Sequence, residues 1–190
     1  MSRPLEEAYF AQLNAERRQK IRAELAIKAR ELAAEAAVAE ALRTDDVGLV
    51  RRLRALGFDE DTVRVLDLLP LVWVSWADGK TQREERIAVM ELMIERGIEY
   101  ESDAWMLIES LLEERPSDAY LEEALTVLRA LRMRQPGALA DIVELCHAIA
   151  QVSGGLFELG TIGKAERSAV ERVAAILGTV GLAKLHQLID

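Results

Sequence analysis

Four acids of this 190-residue chain stand where their types and spacing could do chemistry: Asp78, Glu84, Glu85 and Glu166. Glu85 precedes Val89 and Leu92 by one and two helical turns, and Glu166 stands in the same relation to Val170 and Val173. On a helix each of these two carboxylates therefore points along an apolar stripe, where a charge needs compensation. A hard divalent cation such as calcium would supply it, with Asp78 and Glu85 as the principal oxygen ligands, Glu84 and Glu166 as further ones, and loop carbonyls and water completing the shell. The same spacing also fits a purely structural role. Glu85 could return to the backbone N–H of Gln82, and Glu166 to that of Gly163, as the second half of a capping box, with Thr81-x-x-Glu84 as a rival register. First-turn acids also complement the helix dipole, and Asp78 could close an Asx turn. The loop acids that could accompany the two glutamates are Asp78 in the first stretch and Glu158 in the second.

Other constellations are weaker. Cys146 and His147 are adjacent, so on a helix they do not share a face, and no base or oxyanion element accompanies them. The stripe Leu139, Ile142, Val143, Cys146, Ile149 makes Cys146 a core residue. Gly154-Gly155 and the Gly160–Gly163 stretch follow no strand and lack the lysine and hydroxyl of a phosphate loop. Asp78 opens no Asp-x-Asp-x-Asp-Gly ligand series, which excludes an EF-hand. Trp73, Trp76 and Trp105 sit among aliphatic residues and read as core. With no nucleophile, base and pocket that can be named together, the expectation is a protein that is not an enzyme.

The elements that must position the acids are helices. Glycine (11) and proline (4) are scarce and aromatic residues are 5%, too little turn chemistry for a sandwich or barrel. Residues 4–43 lack interior glycine or proline and consist of strong helix formers, so they predict one long helix. Over residues 1–44 the charges nearly balance at +1, leaving −10 of the chain's net −9 to the remainder and marking a boundary near residue 44. The sequence thus divides into an arm, 1–44, and a helical domain, 45–190. The arm's stripe of Phe10, Leu13, Ile21 and Leu25 is thin, and it predicts docking on the body or on a second chain. Helices are expected near 46–56, 62–77, 82–96, 102–114, 117–134, 138–152 and 164–177, with a short last one carrying Leu182, Leu185 and Leu188. Glycines at 57, 97 and 178 act as stops. The segment 62–77 is apolar nearly all round, as a central buried helix would be, with Pro70 kinking it or breaking it at Leu69.

The acidic balance argues against a nucleic-acid partner. One cysteine fits a reducing compartment, and the charged first residues lack the plan of a signal peptide, so the expected address is cytoplasmic. The densest apolar run, 68–77, is about half the ~20 residues of a membrane span.

A constant offset aligns Gly79 with Gly160, Glu85 with Glu166, Arg86 with Arg167, Val89 with Val170 and Gly97 with Gly178. The unit is helix, loop, helix, placed twice, which predicts an all-α bundle of two pseudo-repeated helical hairpins. The run Trp76-Ala77-Asp78-Gly79-Lys80-Thr81-Gln82-Arg83-Glu84-Glu85 resembles the A-D-G-x-x-x-x-x-E signature of the tellurite-resistance TerB and TerB-like family. Ser153-Gly154-Gly155-Leu156-Phe157 with Lys164-Ala165-Glu166-Arg167 resembles the glycine-rich loop and second glutamate of its distant members. The resemblance spans about residues 59–188. It implies an all-helical, non-enzymatic cytoplasmic protein, with acids suspected of cation binding, in systems answering tellurite, phage and other stress near the inner membrane surface, where a peripheral membrane complex would form. Asp78, Glu85 and Glu166 carry over; Leu159 stands where a second copy of Asp78 would be. The expected function is an acidic binding module for a divalent cation or a protein partner. The alternative is a scaffold that self-associates through the arm, its acids serving only as caps.

Overall fold

A computed structural model describes residues 3–133, 136–152 and 162–189, and among these every regular element is helical. The chain runs α1 (Arg3–Leu42), α2 (Val47–Ala55), a 3-10 helix (Val63–Leu68), α3 (Leu69–Ser75), α4 (Arg83–Glu95), α5 (Asp103–Glu113), α6 (Asp118–Arg132), α7 (Pro136–Val152), α8 (Lys164–Leu177) and α9 (Thr179–Ile189). None of these is long and apolar enough to cross a membrane.

The punctuation of the sequence explains most boundaries. Asp46, Ser102 and Ser117 cap α2, α5 and α6 by accepting the N–H three residues on. Gly57 and Gly97 take positive φ, 90° and 69°, just past the ends of α2 and α4, a conformation that costs glycine nothing. One open alternative is resolved and one expectation changes. The 62–77 segment is broken at Leu69, with a 3-10 helix before the break and Pro70 in the first turn of α3, where its missing N–H is harmless. Pro136 also opens a helix rather than closing one, because α7 starts there.

All seven residues of α3 are buried, and this short helix packs against α4, α5, α6, α7 and α8. Around it the core gathers Phe58, Met93, Ile108, Leu112, Leu125, Leu128, Val143 and Val173. Removing a fully buried leucine such as Leu71 from such an interior costs about 2–5 kcal/mol. The packing partners have a pattern: α3 lies on α7, α3 on α8 and α4 on α7, while α3 also meets α4 and α7 meets α8. Cys146 is part of the core, where burial pushes its thiol well above the ordinary range, and His147 beside it is half-buried.

Of the two dockings expected for the arm, on the body or on a second chain, the described contacts with the body involve only its carboxyl-terminal end. α1 meets the body chiefly at α2 and the 3-10 helix, through Val38, Ala39 and Leu42. Every residue from 14 to 33 is exposed, including Ile21 and Leu25; Leu13 is half-buried, and the Phe10 side chain lies outside what is described. Among the described residues the stripe therefore rests on nothing over that stretch.

Candidate functional site

The loop between α3 and α4 is fixed before its acids are considered. Trp76 Nε1 donates to the Leu111 carbonyl at 2.9 Å, and Thr81 Oγ1 donates to that of Leu112, also at 2.9 Å. Both carbonyls belong to the last turn of α5, which has no intrahelical donors for them. Two side chains of one loop thus satisfy two orphan acceptors. They also set the loop against the partially negative end of α5. The Thr81-x-x-Glu84 register does not form, because α4 takes Gln82 and not Thr81 as its N-cap.

Within the loop, Asp78 Oδ1 accepts the N–H of Lys80 at 3.2 Å, the Asx turn, and its Oδ2 accepts from Gln82 Nε2 at 3.4 Å. Gly79 between them has φ 90°, the value the reversal requires. Gln82 is the N-cap of α4, and Glu85 Oε2 accepts its backbone N–H at 2.8 Å, so the capping register is the one centred on Gln82. Asp78 and Glu84 are exposed, whereas Glu85 is only 2% exposed.

Burial is the main reason the Glu85 carboxyl is pushed up to about 7; the Gln82 N–H opposes this, and the charges of Asp78, Glu166 and Glu84 add to it. Of the four acids singled out in the sequence, the other three thus act on the Glu85 carboxyl group. That includes Glu166, far along the chain in the first turn of α8 and buried to 8% exposure. Its carboxylate lies under Gly163, the N-cap of α8, in the space a side chain at 163 would fill. The packing of α3 and α4 against α7 and α8 is what brings the two helix starts into one electrostatic neighbourhood. Glu158, Leu159 and Gly154-Gly155 lie outside the described residues.

Proximity stops short of a formed ligand cage. Among the described residues no three His, Cys, Asp or Glu side chains converge as a group that could hold a metal ion. The Glu85 carboxyl, pushed up to about 7, can hold a proton near neutral pH.

Several interactions had no counterpart in the sequence reading. Arg172 lies 5.0 Å from the Trp73 ring centre and pairs with Glu122 and Asp118, which ties α8 to α6 over the central helix. Arg96 approaches Asp67 at 2.8 Å. His147 and Arg167 line a cavity of about 270 Å³ closed by Leu185 and Leu188; burial, helped by the Arg167 charge, holds the imidazole below its ordinary value. Arg172 lies six residues after Glu166 on the α8 helix, but the identity of its ring partner depends on tertiary packing. No family model, curated protein or solved structure matches this chain.

Proposed function

We propose that this chain is a non-enzymatic helical binding module of the TerB-like type, whose acidic junction takes up a divalent cation, calcium being the representative ion. Asp78 and Glu85 are its principal ligands, with Glu84 and Glu166 alongside. The observation that carries the reading is the buried Glu85 carboxyl, raised to about 7 by burial and by the charges of Asp78, Glu166 and Glu84. A group in that state gains from a cation, because the cation's charge offsets the burial and the neighbouring acids that make ionisation costly. The reciprocal packing of α3–α4 on α7–α8, with the matching sequence offset, supports the two-hairpin repeat that the resemblance implies. The stress-response setting and the cytoplasmic address belong to the same proposal.

A second reading has its own observation. The Gln82 bond to Glu85 is a complete reason for an acid at that position, and no three-carboxylate cluster is formed among the described residues. On that reading the protein is a scaffold and the acids are caps. Thermal melts of the wild type and Glu85→Gln, with and without millimolar calcium or magnesium, separate the two. Glutamine can still accept the backbone bond, so the cap survives the change. The cation reading expects a wild-type midpoint that rises with cation, by mass action on the folded state, and a variant that loses most of the rise. A wild-type midpoint indifferent to both ions would overturn it in favour of the scaffold.

A further inference from the structure

We propose that the exposed part of α1 pairs with the same helix of a second copy, antiparallel and centred near Ala26. The surface is unusual for a chain in water: Ile21, Leu25 and Leu32 are 55%, 63% and 54% exposed on a helix 40 residues long, roughly 60 Å. Along that stripe the charged residues Arg17, Lys20, Glu24, Lys28, Glu31 and Glu35 recur at spacings of three and four, the seam of a helix pair. Read from the amino end, their signs are plus, plus, minus, plus, minus, minus.

That order is self-complementary in one orientation. When two copies run antiparallel about Ala26, Arg17 meets Glu35, Lys20 meets Glu31 and Glu24 meets Lys28, and each contact occurs twice by symmetry. Ile21 of one copy falls beside Leu32 of the other, with the two Leu25 side chains near the axis. A parallel pair in register would set Arg17 against Arg17 and Lys28 against Lys28, which is repulsive.

The body continues the same surface. Where α1 meets α2 there is a shallow groove of about 310 Å³, floored by Ala36, Ala39, Val47 and Val50 and edged by Glu35 and Asp45. In the antiparallel register Leu13 of the partner copy arrives opposite Ala39, and the basic Arg17 and Arg18 arrive at that acidic edge. Glu35 already meets Arg51 at 3.2 Å within its own chain, so the arriving arginine completes a three-membered charge cluster. Apolar floor, acidic edge and self-complementary seam all select a second copy as the occupant.

The test uses the full chain in sedimentation equilibrium at micromolar concentrations and low salt. The wild type is expected to reach twice the chain mass. Arg17→Glu with Lys20→Glu, or Glu31→Lys with Glu35→Lys, should each weaken association by about tenfold or more, since like charges then face each other. Mixing the two variants should restore pairing, as should all four changes in one chain. Arg17, Lys20 and Glu31 are exposed on α1 and Glu35 is half-buried against Arg51, so circular dichroism and a thermal melt of each variant confirm that the body is intact. A wild type that stays at the mass of one chain overturns the proposal. So does a dimer that neither swap weakens, or swapped variants that fail to pair with each other.

Discussion

The two helix starts that hold Glu85 and Glu166 answer the same local problem in different ways. At α4 the N-cap is Gln82, which has a side chain of its own, and the Glu85 carboxylate takes the N–H from within while Gln82 reaches out to Asp78. At α8 the N-cap is Gly163, and the Glu166 carboxylate occupies the space its Cβ would need. The first start therefore gathers acids around a buried carboxyl, whereas the second gives up a side chain to make room for one. Similar sequence positions yield unequal chemistry because the residue at the N-cap decides where the third helical residue can put its charge.

The largest expected effect comes from the first start. Glu85 titrates near 7 when folded, against an ordinary value of 4.5. The folded chain thus keeps a proton over a window in which the unfolded chain has lost it. Its contribution is fully present below the ordinary value and is lost as pH rises through 7. The gap corresponds to roughly 3 kcal/mol at about 1.4 kcal/mol per pH unit. In urea melts under chelator, the stability difference between Glu85→Gln and wild type should be small near pH 4 and grow in the variant's favour up to about pH 8. A difference that does not change with pH would remove the asymmetry between the two starts.

Next in size is Gly163→Ala, which forces the Glu166 carboxylate off its place. The expected loss is about 1 kcal/mol, the scale of a helix cap, measured by the same urea melts. Alanine tolerated without cost would show that the space under residue 163 is not reserved for Glu166. Glu166→Gln is subtler. By removing one of the charges that oppose ionisation of Glu85, it should lower the Glu85 midpoint by a fraction of a pH unit, read from the pH dependence of stability. Smallest is Gln82→Ala, which gives up the long bond to Asp78 and leaves the backbone bond to Glu85; a change of a few tenths of a kcal/mol is expected in the melt.

The sequence was most legible where a local rule decides the structure. Lys164–Leu177 has the bounds expected, and Ser102 and Ser117 cap as their side chains dictate, because helix starts and stops are settled by adjacent residues. The readings that stayed open or changed depended on surroundings. Pro70 admits a kink or a break, and the break follows from five helices crowding α3. Pro136 is compatible with ending α6 or opening α7. Ile21 and Leu25 declared a sticky face without saying what it meets, since a stripe fixes a direction and never a partner. The electrostatic coupling of Glu85 to Glu166 was foreshadowed by the repeat offset. The pinning of the Asp78 loop by the carbonyls of Leu111 and Leu112 was not, because backbone acceptors leave no mark in a sequence.

The central claim is that Glu85 is a buried, acid-crowded carboxyl that a cation relieves, and its own titration tests this most directly. Carboxyl carbon chemical shifts of Glu85 followed against pH, first in chelator and then with millimolar calcium, should give a midpoint near 7 that falls by more than one pH unit when the ion is added. A midpoint in the ordinary carboxylate range without the ion, or one near 7 that neither calcium nor magnesium moves, would contradict it.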